Sequence, residues 1–449
     1  MSGRSATVEI ARAEGHVVFR LSEANEHLGD TLEFARLDID CSGLPALTTR
    51  EGVCDYGSRL TQALCSHQAV KRELDFFFKG VDPDLASLQF CIGTSDGERY
   101  RWETLYTAPE FLAVKGHCSL KRIIPSGLHG VPAPRHYHGP IRMAAFLSPA
   151  GVSSAAEFEA IAGAVQEAAA QGLELVLTVF VGEKALLDKI AERIARGALK
   201  GVSARPMPGS TAALEKILKD EPVQLLHFFC HGHLQDGIRF LRFATISDHM
   251  DKVAEGSVDL SIDRLREIQS LQGTVWMTVL NSCSGAQDVP GLYSMAATLA
   301  RSASPVTIGM AEQVHATDAT MFASAFYPNA LRIIGKATEN KGQHESAAID
   351  LGPAVGAARR AMYQAAQAGE QDGFRRWCLP VMYQREAGLT VVSTPDPAMM
   401  ERIETVAKFL RMLPGDAPKG LREKVIGVLA EAPAVPPALW PNLYGSYQK

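Results

Sequence analysis

Two apolar runs in the chain end in the same way. Residues 224–229, QLLHFF, are nearly continuous in apolar side chains, and the chain then changes character at Cys230, His231, Gly232 and His233. Residues 274–280, TVWMTVL, do the same and stop at Asn281, Ser282, Cys283, Ser284 and Gly285. Short apolar runs bounded by small and polar residues are the pattern of strands buried on both faces. Further runs of this kind are IRMAAFLS (141–148), LELVLTVF (173–180), PVTIGMA (305–311) and RWCLPVMYQ (376–384). Between them lie stretches with apolar residues at helical spacing: 153–172, 183–197, 210–220, 261–271, 292–302, 317–335 and 353–368. Ser261 is placed to cap one of them. IRFLRFATI (238–246) reads as a hairpin arm after the histidine run. The alternation predicts an α/β fold, a mostly parallel sheet with helices on both faces. Ligands in such sheets bind beyond the carboxyl ends of the strands, which is where His231 and Cys283 fall.

The flanks are patterned differently. ATVEIAR and HVVFRLS surround AEG as a hairpin, and LEFARLDI follows as a strand. Residues 57–79 read as one helix ended by Gly80, while SLQFCIGT (87–94) and YRWETLY (100–106) return to strand. Residues 123–140 are rich in proline and glycine and mark the expected boundary. Residues 1–140 are therefore expected to form a smaller α+β lobe packed on the main α/β domain, 141–393. Residues 394–449 are expected to be a helical tail. There Met400, Ile403, Val406, Phe409 and Leu410 make one apolar stripe, and Leu421, Val425, Val428 and Leu429 a second. The tail reads either as a brace on the body or as a regulatory docking element.

Composition narrows the function classes. The chain has 449 residues, 46% hydrophobic and 21% charged, with a net charge of −5, which is ordinary for a globular protein and leaves no basic footprint for nucleic acid. No apolar run reaches the roughly 18 residues of a membrane span. The first residues lack the apolar core of a signal peptide, so a cytoplasmic location is expected. Eight cysteines without CxxC spacing are expected as free thiols.

A cysteine attacks as the thiolate, and a neighbouring histidine takes its proton and returns it to the leaving amine. His231 precedes Cys283 by 52 residues. Turns made of small residues offer backbone N–H groups for an oxyanion, here at Gly232 and Cys283. Cys230, His233 and Cys283 are a conceivable zinc set, but no CxxC or HxxxH spacing supports a metal, and the chemistry calls for no cofactor. His233 is read as a loop residue near the site, and His227 as a core histidine.

The pair FFCHG and VLNSCSGA resembles the two strand ends of the CHAT family of caspase-like proteases, which is related to separase. YRWETLY, followed by FLAVKGHCSLKRII, is similar to the segment that precedes the CHAT core, with Arg101 in place of the proline of its P-W-E pattern. VTIGMAEQVHATDATMFASAFY is similar to a later segment of the family. The resemblance covers roughly residues 95–385, and 1–95 more loosely. It implies a caspase-like sheet and a cysteine endopeptidase with a His231/Cys283 dyad; no third member is assigned, and enzymes of this kind can orient the histidine through a backbone carbonyl. It also implies a role in prokaryotic antiviral defence or regulated cell death, with a protein substrate such as a gasdermin-like pore former or a signalling protein, and a partner that activates the enzyme. Asp318 matches the position that in separase-like enzymes lies near the pocket for the residue before the scissile bond. An acid there would pair with a basic side chain; the other reading is a cap for the helix starting near Ala319. Glu312 is a second pocket candidate. Residues 243–261 are read as a surface excursion or as a gating loop. A non-catalytic CHAT-like scaffold is the alternative function.

Overall fold

The computed structural model of the chain describes residues 4–24, 33–80, 86–125, 134–268, 273–281, 292–312, 314–339, 346–368, 371–394, 408 and 420. Cys283, with its neighbours Ser282, Ser284 and Gly285, and nearly all of the 394–449 segment lie outside these residues.

The core is a twelve-stranded sheet, and its order is not the order of the chain. From one edge it runs Val202–Pro206, Leu175–Val181, Ile141–Leu147, Leu225–Phe229, Met277–Leu280, Val306–Met310, Pro380–Arg385, Cys118–Ile124, Ala86–Ile92, Ser5–Ala13, His16–Ala24 and Ala35–Arg36. The first six strands are parallel. Pro380–Arg385 is antiparallel to Val306–Met310 but parallel to Cys118–Ile124. That single strand joins the two halves of the sheet, so the sheet runs unbroken from residues before 140 to residues after it.

Alternation along each strand divides the side chains between two cores. In the histidine strand Leu225 and Phe229 face one layer and Leu226 and Phe228 the other. Helices Ala155–Ala170, Ala316–Thr338 and Gly352–Ala368 pack on the first layer; Thr211–Asp220, Ile262–Glu267 and Leu292–Ser302 pack on the second. The mostly parallel sheet with helices on both faces is therefore as expected, and Ser261 does cap its helix, accepting from Arg264 N at 3.1 Å.

Several local expectations are corrected. The histidine strand of the main sheet ends at Phe229; His231 opens a new strand, His231–Gln235, in a separate antiparallel sheet with Ile238–Phe243 and Val258–Ser261. His233 accordingly sits in a strand, not a loop. Residues 57–79 are two helices, Arg50–Leu64 and Gln68–Lys79, because His67 leaves the helix to cap the second one through Val70 N. YRWETLY forms a short 3-10 turn at Trp102–Thr104, and LEFARLDI contributes only Ala35–Arg36 as strand. Asp318 is not a cap: the helix starts at Ala316 after His315, and Asp318 lies in its first turn. Residues 243–261 hold a helix, Ile246–Met250, under a Thr245/Asp248 capping box, and the strand Val258–Ser261.

The Trp102 turn is anchored by charge as well as by stacking on Phe90. Glu103 is buried and takes a bidentate pair from Arg122, at 3.0 and 2.7 Å. Arg122 also donates to the carbonyls of Glu98 and Tyr100, and Arg359, equally buried, donates to those of Leu120 and Pro380. Burial alone would raise the Glu103 carboxyl, but the Arg122 guanidinium outweighs it and holds the acid below its usual range. Among the described residues no helix is long and apolar enough to cross a membrane.

Candidate active site

The first six strands run in the same direction, so the residues that follow them gather at one edge. Strand Ile141–Leu147 leads to Ala150, strand Leu225–Phe229 to His231, strand Met277–Leu280 to Asn281, and strand Val306–Met310 to Glu312 and helix Ala316–Thr338. Cys283 follows Asn281 by two residues in the chain.

His231 is buried, and its Nε2 lies 2.8 Å from the carbonyl oxygen of Ala150. A carbonyl only accepts, so Nε2 carries the proton and Nδ1 is the basic nitrogen of the neutral ring. The Ala150 loop is held by its neighbours. Ser148 N donates to Phe229 O at 2.9 Å, Ala244 N donates to Ser148 O at 2.9 Å, and Ser148 Oγ donates to Ala244 O. Gly182 makes this crossing possible, since a Cβ there would lie 2.2 Å from Ser148 Oγ and 2.3 Å from Ala244 O.

Asn281 is fully buried. Its Nδ2 donates to Glu157 Oε1 at 2.7 Å and to Ala319 O at 2.9 Å, and its backbone N–H to Phe228 O at 2.9 Å. The residue that precedes the cysteine turn is thus tied to two helices and to the histidine strand. Ala319 follows Asp318, so the same bond brings Asp318 close to this end of the strand.

Asp318 is buried, with Arg376 Nε 3.3 Å from its Oδ2. The N–H direction misses the oxygen, so the contact is an ion pair without a proper hydrogen bond. Burial raises the Asp318 carboxyl above its usual value, and Arg376 and His315 only partly offset that. Glu312 is held by two cations, Arg101 at 2.9 Å and Arg375 at 2.8 Å. Arg101 also donates to Ala311 O at 3.1 Å. The arginine that replaces proline in the upstream motif therefore clamps the loop beyond strand Val306–Met310.

His233 is engaged within its own sheet, and the third member of the conceivable zinc set, Cys283, lies outside the described residues. His233 stacks on Phe240, its Nε2 accepts from Arg242 at 2.9 Å, and Arg242 pairs with Asp259 and Glu255. Burial, helped by Arg242 and opposed by Asp259, lowers its affinity for a proton. Cys230 faces the core layer opposite to Phe229. Among the described residues no three His, Cys, Asp or Glu side chains could hold a metal ion. Burial pushes the Cys118 and Cys378 thiols up to about 12 and raises those of Cys41, Cys54 and Cys65, so none of these is a ready thiolate. His227, read as a core histidine, is fully buried, with Nδ1 2.8 Å from Tyr327 OH. Glu157 and Ala150 were not among the sequence candidates. One of three glutamates in an alanine-rich helix, and an alanine after Ser-Pro, carry no local signal of such roles.

No curated protein matches the chain. Two crystal structures of the Saccharomyces cerevisiae separase–securin complex, at 2.6 and 3.0 Å resolution, are similar over 73% of this chain with 13% identity and a TM-score of 0.32. The chain spans only 17% of the length of the separase-complex chain in each. Residues 100–383 match the CHAT domain family. That match takes in the histidine strand, the cysteine strand and the Asp318 helix and extends over more than half of the sequence, and the chain belongs to the CHAT domain family.

Proposed function

We propose that the protein is a cysteine endopeptidase in which His231 activates Cys283. The supporting observation is the hydrogen bond from His231 Nε2 to Ala150 O at 2.8 Å, beside the strand that leads to Cys283. A ring whose Nε2 proton is committed to a carbonyl presents Nδ1 as its base. In the first step the thiol proton passes to Nδ1 and the sulfur bonds to the substrate carbonyl carbon. The oxyanion is received by the backbone N–H groups of Gly232 and Cys283. Collapse breaks the C–N bond, and Nδ1 returns its proton to the leaving amine. Water then attacks the thioester, gives its proton to Nδ1, and the C–S bond breaks to regenerate the dyad.

Asp318 is the acid that receives a basic side chain just before the scissile bond. Its ion pair with half-exposed Arg376 is one that a substrate cation can replace, whereas Glu312 is engaged by two arginines. The substrate is a protein, in antiviral defence or regulated cell death, and a partner protein turns the enzyme on. Residues 394–449 dock that partner or brace the body.

A peptide library incubated with the full chain, with cut positions read by mass, tests the reading. Cleavage after Lys or Arg that disappears in Cys283→Ala and in His231→Ala is expected. Cleavage unchanged in Cys283→Ala removes the cysteine from the mechanism, and no cleavage by the activated chain leaves a non-catalytic scaffold.

A further inference from the structure

Behind the site lies a polar chain that the proposed chemistry does not use. Glu157 is in the first turn of helix Ala155–Ala170, yet it points inward and is fully buried. Its Oε1 accepts from Asn281 Nδ2 at 2.7 Å and lies 3.1 Å from His227 Nε2. The second contact is electrostatic, since the ring N–H does not point at the oxygen. His227 Nδ1 is 2.8 Å from Tyr327 OH. Burial, and then the charge of Glu157, raise the Tyr327 phenol well above its ordinary value, so Tyr327 keeps its proton. Glu157 Oε2 and Asn281 Oδ1 are buried without a hydrogen-bond partner.

This arrangement is costly. Neither Arg nor Lys pairs with Glu157 among the described residues, and a buried carboxylate left with partial compensation opposes folding. An apolar side chain would fill the same layer, between a sheet and two helices, at less cost. A buried polar network does something that apolar packing cannot: it admits one geometry. Here the geometry it fixes is that of Asn281. Both Nδ2 protons are spent, one on Glu157 and one on Ala319 O, and Asn281 is two residues ahead of Cys283.

We infer that Glu157 is a positioning residue: backed by His227 and Tyr327, it holds the Asn281 carboxamide and through it the direction in which strand Met277–Leu280 delivers Cys283. The inference rests on the cysteine-peptidase reading for its purpose, though not for its test. Glu157→Gln keeps an acceptor oxygen for Asn281, whereas Glu157→Ala and Asn281→Ala each break the tie.

The test is a double-mutant cycle in the full chain with two readouts. The first is alkylation of Cys283 by iodoacetamide, resolved from the other cysteines by peptide mass, at pH 7 and at a pH about one unit above the ordinary thiol pKa near 8.5. At the higher pH an accessible thiol of ordinary pKa is mostly ionised, so the rate there reports chiefly how the turn presents the sulfur. The second is kcat and KM on a cleaved peptide. Glu157→Ala and Asn281→Ala should each change the high-pH alkylation rate by about threefold or more and lower kcat by about tenfold or more, with KM within about twofold. The double variant should be no worse than the worse single one, and Glu157→Gln should stay within about threefold of the parent. A brace for the fold alone would lower the unfolding midpoint and leave the Cys283 rate of the folded fraction unchanged. That outcome, or effects that multiply in the double variant, overturns the inference. If Glu157→Ala does not fold, Glu157→Met takes its place in the cycle. If the parent chain cleaves nothing, the peptidase reading fails while the alkylation arm still decides this one.

Discussion

The Nε2 proton of His231 goes to Ala150, and Asp318, next to the Ala319 that holds the cysteine strand end, is paired with Arg376. Asp318→Asn should therefore leave His231 chemistry intact and remove the preference for a cation before the scissile bond. Removing one member of a buried charge pair costs about 2 kcal/mol or more, so kcat/KM on a basic peptide should fall by roughly 30-fold or more while an uncharged peptide loses little. Equal losses on both would reduce Asp318 to a partner of Arg376. His233 supports a second prediction at this scale. Burial first, and Arg242 next, lower its folded pKa, while Asp259 and Glu255 work the other way. The fold thus keeps His233 neutral, and the unfolded chain, titrating near 6.5, takes up the proton first. This stabilisation is complete above that value and is lost as pH falls through the folded value. The unfolding midpoint of the parent chain should drop on acidification through pH 6, and His233→Gln should flatten that part of the curve.

Single elements meet at the site through close crossings, and Gly182 marks one of them. It ends strand Leu175–Val181 where the Ser148 loop and Ala244 cross. A methyl group there must displace backbone, which in a packed core costs about 1–3 kcal/mol. Because Ser148 leads directly to Ala150, Gly182→Ala should lower both the unfolding midpoint and kcat. Normal kcat at a lowered midpoint would mean that the Ala150 carbonyl is held some other way. Gly57 shows the same logic inside a helix, where a glycine costs about 1 kcal/mol. Its Cβ would sit 1.9 Å from Thr104 O, so the helix Arg50–Leu64 can lie against the Trp102 turn only without a side chain at that point.

At the scale of the whole molecule, strand Pro380–Arg385 and the Glu103–Arg122–Arg359 cluster hold the two halves together. Glu103→Ala leaves two guanidinium groups buried without their carboxylate, which should cost about 3–5 kcal/mol and show as a large fall in unfolding midpoint. A fragment of residues 141–393 loses the Cys118–Ile124 partner of that strand as well as Glu103. It is expected to be unstable and inactive by itself, and a soluble fragment with full activity would show that the first half is dispensable to the catalytic one.

What was determined by the sequence alone is local. Apolar runs and small-residue punctuation located the strands, their alternation with helical spacing implied a mostly parallel sheet, and the two strand ends singled out His231 and Cys283. The strand and sheet signals survive because each depends on residues a few positions apart. Where local patterns conflicted, the tertiary structure chose: the helical spacing of 57–79 yields to the cap at His67, and the strand pattern of YRWETLY yields to the Glu103 anchor. The tertiary structure alone decided that Ala150 orients His231 across 81 residues, that Glu157 holds Asn281 across 124, and that Arg359 reaches Leu120 across 239. No periodicity encodes such contacts. An alanine carbonyl or a glutamate in a helix becomes part of a site only when the sheet order, which differs from the chain order, brings it there.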